Sequence, residues 1–146
     1  MYAENRKAFH DYEILEKYEA GLVLEGHEVK AIRNGKISIL GSYIQIIDSE
    51  TFLIGATIAP YQPKNTPKNY DPEKSRKLLL NKKEVVSLIG KSKERGLTII
   101  PLKVYDKKGK IKLEIGLAKA KKKYDKRISI RKKEEKRKIE RVLKQY

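Results

Sequence analysis

A chain of 146 residues has room for one domain of ordinary size, and 35 Lys/Arg against 19 Asp/Glu give it a net charge of +16. Without cysteine, disulfides, thiol catalysis and cysteine-based zinc sites are excluded, which fits a reducing cytoplasm. No apolar signal core opens the sequence and no stretch approaches the length of a membrane span, so a soluble, cytoplasmic protein is expected. A pI near 9.9 favours nucleic acid over a membrane surface as the partner.

In chain order, residues 10–18 alternate well enough to predict a first strand, broken or bulged at Glu19-Ala20-Gly21 and resumed at Leu22-Val23-Leu24. Residues 28–34 predict a short helix that Gly35 stops as a left-handed cap, with Val29 and Ile32 toward the core and Lys30 and Arg33 outward. Residues 42–47 and 51–58 are rich in β-branched and aromatic types and predict a hairpin across Asp48-Ser49-Glu50. Residues 60–72 hold four of the five prolines and predict an extended surface loop. Asn81-Lys-Lys-Glu84 has capping-box spacing ahead of Val85, Val86, Leu88 and Ile89, predicting a helix that ends by Gly96. Residues 97–105 and 110–117 form a second predicted hairpin, across Lys107-Lys108-Gly109. The expected fold is mainly β with about three flanking helices, a closed or partly closed barrel of the oligonucleotide-binding (OB) type.

Residues 119–146 differ in kind. They hold 14 Lys/Arg against 4 Asp/Glu, a net of +10, while residues 1–118 carry +6. So charged a segment has too little apolar surface to repay its own ordering. The expected organisation is a barrel over 1–118 and a basic tail over 119–146, mobile when free and folding against a polyanion. Ile139, Val142, Leu143 and Tyr146 fall at i, i+3, i+4 and i+7, a thin stripe whose helix would be marginal in isolation.

Four blocks in order then carry a resemblance: Asn5-Arg-Lys-Ala-Phe-His-Asp-Tyr12; Glu19-Ala-Gly21 continuing to Gly26-His-Glu-Val-Lys30 and Ser42-Tyr43; Tyr70-Asp-Pro-Glu-Lys-Ser-Arg-Lys-Leu-Leu-Leu80; and Gly116-Leu-Ala-Lys-Ala-Lys-Lys-Lys-Tyr-Asp-Lys-Arg127. Together they resemble the SsrA-binding protein (SmpB) family, partners of transfer-messenger RNA (tmRNA) in ribosome rescue. The resemblance implies an OB-like barrel that grips the tRNA-like domain of tmRNA and a tail that becomes helical in the vacant mRNA channel of a stalled ribosome. It implies an adaptor without chemistry or cofactor, a monomer, aiding aminoacylation of tmRNA by alanyl-tRNA synthetase and its delivery with elongation factor Tu. One departure is Ala120, where the family usually has Gly, a swap that stiffens the junction of body and tail.

The resemblance also assigns residues, each with a plainer reading beside it. On tmRNA it places Asn5, otherwise a turn or cap residue; His10, otherwise a satisfied structural histidine; and Glu19, otherwise ion-paired to a neighbouring Lys. It adds Arg76, Lys77, Lys119 and Lys121. Of Leu78-Leu79-Leu80 at least two should be core, leaving the middle Leu79 as apolar surface against a splayed RNA loop. Lys112 alternates with Ile111 and Leu113 and so faces outward, either solvated or clamping a phosphate. In the decoding site and mRNA channel it places Tyr124, Asp125, Lys126, Arg127, Arg131, Lys132 and Lys133; a ring and two cations beside one acid suit stacking and phosphate contact, and a solvated charge run is the plainer reading. Neither His10 nor His27 sits at metal spacing with a carboxylate, and no phosphate loop, Gly-x-Ser-x-Gly elbow or His-Glu-x-x-His motif supports an enzyme. The alternative is a ribosomal protein whose tail threads rRNA.

Overall fold

In a computed structural model of the protein, residues 1–121 are described throughout, together with Arg131, Lys133, Glu134, Lys136 and Arg137, which are helical and exposed. The strands are β1 (Ala3–Glu4), β2 (Tyr12–Leu22), β3 (Ile37–Ser38), β4 (Tyr43–Ile47), β5 (Glu50–Ile54), β6 (Thr57–Ile58), β7 (Arg76–Leu79), β8 (Leu97–Lys107) and β9 (Lys110–Ala120). Within residues 1–121 there are three α-helices, α1 (Arg6–Asp11), α2 (Gly26–Arg33) and α3 (Lys82–Ser92), and a short 3-10 turn at Pro63–Asn65. Seven strands form one antiparallel sheet in the order β1-β8-β9-β2-β7-β5-β4, and β3 pairs with β6. β4 returns beside β8 without pairing to it, so the sheet curls into a partly closed barrel.

The curl centres on β9. Both of its neighbours carry a register shift, β2 between Ile14 and Glu16 and β8 between Pro101 and Lys103. Such bulges bend a strand and raise its twist, and Pro101 beside one of them is where proline is tolerated in a sheet. The bulge of β2 therefore lies at Leu15, whereas Glu19-Ala20-Gly21 pairs without interruption. Inward-facing Ile111, Leu113, Ile115 and Leu117 join Ile32, Leu53, Ile58, Leu78, Leu88 and Val104 in the core. The opposite face of β9 reads Lys112, Glu114, Gly116, Ala118, and its small end seats α1.

Local signals explain most elements. Asn81 caps α3 in the expected box, accepting from the Glu84 N–H at 2.9 Å. Gly35 takes φ +74 after α2, and the two hairpins turn on left-handed Asp48-Ser49 and Lys108-Gly109. Residues 51–58 are not one strand, because Gly55 at φ +84 breaks β5 from β6. The first strand also starts later than expected, at Tyr12. His10 belongs to α1, whose N-cap Asn5 accepts from the Ala8 N–H at 3.2 Å. α3 ends at Ser92, ahead of Gly96.

Candidate nucleic-acid interface

Strand parity sorts the expected residues. On β7, Arg76 and Leu78 are buried while Lys77 and Leu79 face out, with Leu79 55% exposed. Pairing places Leu79 beside Gly21, Gly21 beside Lys112 and Lys112 beside Tyr105, one continuous row across four strands. In the next row Glu19 lies opposite Glu114, with Lys103 beyond it. Like charges opposed across strands are unfavourable, so each acid needs cations. Glu114 lies 3.7 Å from Lys17 and 3.5 Å from Lys103. Glu19 accepts from the Tyr105 hydroxyl at 2.7 Å and the Lys107 ammonium at 3.0 Å.

These contacts set the electrostatics. The hydrogen bond from Tyr105, then those from Lys107 and the charge of Lys112, hold the Glu19 carboxyl below its usual range. Desolvation and the Glu19 carboxylate raise the Tyr105 phenol, so it stays a donor. The Lys112 side chain makes no hydrogen bond or ion pair among the described residues, while its backbone lies in the sheet between β2 and β8. Lys77 pairs loosely with Glu50 at 3.2 Å. The face thus presents lysines, a phenol, an ionised acceptor and an exposed leucine, groups suited to phosphates, 2′-hydroxyls and unstacked bases.

Farther along the same outer face, α1 covers Ile14, Ile100, Leu102 and Ala118 through Ala8 and Phe9. Lys17 Nζ lies 5.8 Å from the Phe9 ring centre and bridges the two regions. Here Asn5 acts as the cap, its amide also donating to the Pro101 carbonyl at 3.0 Å. His10 is half-buried, its Nδ1 2.9 Å from Asp11 Oδ1. Lys119 is exposed near the end of β9, and Lys121 is tied to α1, its backbone N–H donating to the Asp11 carbonyl at 2.9 Å and its ammonium to that of Phe9 at 3.3 Å.

Arg76 requires a correction. It was expected on RNA, yet it is 2% exposed and its donors are taken internally. Nε and one Nη meet Glu28 Oε2 at 3.1 and 2.9 Å, the other Nη meets the Ala56 carbonyl at 2.8 Å, and Tyr70 Oη lies 3.1 Å away. A buried guanidinium with its fork filled has nothing left for a phosphate. Tyr124, Asp125, Lys126, Arg127 and Lys132, and the stripe from Ile139 to Tyr146, lie outside the described residues; Arg131 and Lys133 are exposed and helical. Sequence reasoning missed Lys17, Lys103, Tyr105 and Lys107. The last three recur at every second position, the parity signal of one strand face, and that signal was sufficient to find them. Among the described residues no cluster of His, Asp and Glu could hold a metal, and no helix is long and apolar enough to cross a membrane.

Comparison with known proteins places the whole chain in a family. The SsrA-binding protein of Sulfurihydrogenibium sp. (strain YO3AOP1) is 54% identical over 142 residues, covering 97% of this chain and 93% of its own length. That of Syntrophobacter fumaroxidans is 50% identical over 144 residues, covering 99% and 89%. A solved structure described as "tmRNA-SmpB: a journey to the center of the bacterial ribosome" superposes with a TM-score of 0.66 at 50% identity, over 82% of this chain and 84% of the other. The family model described as "SmpB protein" matches residues 2–145, so with the β-rich body, the outward row of β7-β2-β9-β8 and relatives at half identity over nearly the whole length, the chain belongs to the SmpB family.

Proposed function

We propose that this protein binds tmRNA (SsrA RNA) and brings it to stalled ribosomes for trans-translation. The carrying observation is the full-length likeness to SsrA-binding proteins and to the SmpB of a tmRNA and ribosome structure. The barrel over 1–118 holds the tRNA-like domain on its outer face through Glu19, Lys77, Leu79 and Lys112, continuing past α1 to Asn5 and His10, and Lys119 and Lys121 at the start of the tail add to this contact. The tail over 119–146 occupies the decoding site and the empty mRNA channel, with Tyr124, Asp125, Lys126, Arg127, Arg131, Lys132 and Lys133 against small-subunit rRNA. Its work is adhesive, not catalytic, and is carried out as a monomer in the cytoplasm. Alanyl-tRNA synthetase and elongation factor Tu meet it through tmRNA. A ribosomal protein with an rRNA-threading tail is not favoured, because the relatives are SsrA-binding proteins.

The test is a titration into fluorescent tRNA-like domain with bulk tRNA as competitor at near-physiological salt. Tight binding that survives the competitor is expected. In the same assay Lys112→Ala should weaken binding and lower the salt slope by about 1, as for one lost phosphate contact. Complete competition by bulk tRNA would leave only nonspecific electrostatics and sink the reading.

A further inference from the structure

We propose that the open edge of β4 takes an added strand from an acidic protein partner, laid in the groove between β4 and β8. This goes beyond RNA binding and does not depend on it. β4 is an end strand of the seven-stranded sheet and lies beside β8 without pairing to it. The hairpin decides what its edge presents. β4 and β5 are joined by the two-residue turn Asp48-Ser49, both at positive φ, and the pair flanking such a turn exchanges both backbone bonds. Ile47, Gln45 and Tyr43 therefore bond to β5, while the N–H and C=O groups of Ile44 and Ile46 point away from it. Those groups have no backbone partner among the described residues. A bare edge is a template for another strand, which proteins ordinarily blunt with charge, proline or shortness. The other edge of this sheet is blunted: β1 has two residues, and its Glu4 lies 3.6 Å from Arg6. β4 has no such device, since residues 37–47 contain neither charge nor proline.

Space for a strand lies alongside that edge. A cavity of about 560 Å³ separates α1 and β8 from the start of β4, with Ala8, Tyr12, Leu40, Ile44 and Ile99 among its walls. A second, of about 230 Å³, shares Ile44, Thr98 and Ile99 with the first and continues it past Ile46 to Ser92. Beside this groove Leu40, Tyr43 and Ile47 are 74%, 51% and 46% exposed, an apolar run on the surface of a chain of charge +16. Charge then selects the occupant. The charged residues that line the groove are Lys7 and Asp11, opposite in sign, so it offers no row of cations to a phosphate chain. A second copy would bring its own +16 against this one. At one end stand Arg6 and Lys7 of α1; at the other Lys93 and Arg95, with Glu94 between them, follow Ser92. The side chains of Lys7, Lys93 and Arg95 make no hydrogen bond or ion pair among the described residues. The groove therefore complements an extended segment with an apolar middle and acidic ends, its main chain bonding to Ile44 and Ile46.

The experiment uses the full chain, amide hydrogen exchange read residue by residue, and a short synthetic peptide of alternating valine and threonine with glutamates at both ends. In the protein alone the Ile44 and Ile46 amides should exchange at least about tenfold faster than those of Gln45 and Ile47. Equal protection would mean that the edge is already satisfied and would overturn the proposal. The acidic peptide should slow both amides about tenfold, and the same peptide ended by lysines should leave them unchanged. No slowing by the acidic peptide, or equal slowing by both, would overturn it. Ile46→Pro removes an edge donor that β5 does not use, so it should abolish the peptide's protection of Ile44 and keep the affinity for tRNA-like RNA. Retained protection would count against strand addition. Should that variant not fold, Tyr43→Glu, at an exposed side chain, should weaken the acidic peptide about tenfold through like charge, and unchanged affinity would overturn the acidic preference. Protection of Ile44 and Ile46 that rises with protein concentration alone would assign the edge to a second copy. Protection conferred by tRNA-like RNA would assign it to RNA, and either result would overturn the proposal.

Discussion

Glu28 and Arg76 are both closed off from solvent, and each is the other's main compensation. Lys74, 3.5 Å from the other Glu28 oxygen, is a weaker third party. Removing one member of a buried pair leaves an uncompensated charge, so Glu28→Gln should cost about 3–5 kcal/mol. A urea titration would show it as a lower midpoint at unchanged slope, and an unmoved midpoint would contradict the pairing. Burial alone would raise the Glu28 carboxyl, but the Glu25 backbone N–H and Arg76 outweigh it and hold it below its ordinary value of 4.5. The folded state then binds fewer protons than the unfolded one. Stability from this group is complete above that ordinary value and is lost as pH falls through the lower folded value. Glu28→Gln should lose part of the acid slope, while Glu16, Glu19 and Glu25, depressed in the same direction, keep the remainder. The sequence made Lys77, Leu79 and Lys112 legible as surface because parity along a strand is a local property. It hid the fate of Arg76, whose partner lies 48 residues away.

α1 is an element of six residues held by its seat more than by its own propensity. That seat depends on Gly116. A Cβ there would lie 2.9 Å from Leu102 Cδ1 and 3.2 Å from Ile14 Cγ2, both in or against the small cluster under α1. Gly116→Ala should therefore destabilise by about 1–3 kcal/mol through overpacking. Hydrogen exchange should quicken first in residues 6–11, and uniform protection would count against α1 as the element displaced. The same shortness explains why α1 was not legible: one and a half turns show no helical period, and the alternation from His10 onward looked like strand. The hairpins and α3 were legible because their caps and turns lie within a few residues. β3 and β6, two residues each, exist only through pairing with one another across the core.

At the scale of the whole molecule, charge is divided unevenly: +10 resides in residues 119–146 and +6 in the rest. Under the proposed function the two parts have separate tasks, so truncation before Asp125 should spare affinity for tRNA-like RNA and abolish tagging on stalled ribosomes. A parallel loss of binding and tagging would refute that division. The four sequence blocks revealed the family because they run from residue 5 to 127, along the body and into the start of the tail. They did not reveal the groove between β4 and β8, whose walls come from separated stretches and converge only when the sheet curls.

The contacts around Arg76 also bear on time. Glu28 meets Tyr70 and Arg76 across sequence separations of 42 and 48 residues, and such closures are entropically late steps. Interactions absent from a folding transition state act mainly on the unfolding rate. The cluster therefore serves as a latch on the lifetime of the folded barrel more than as an aid to reaching it. Glu28→Gln should unfold faster while folding at nearly the original rate; a slowed folding limb would place the latch in the nucleus instead.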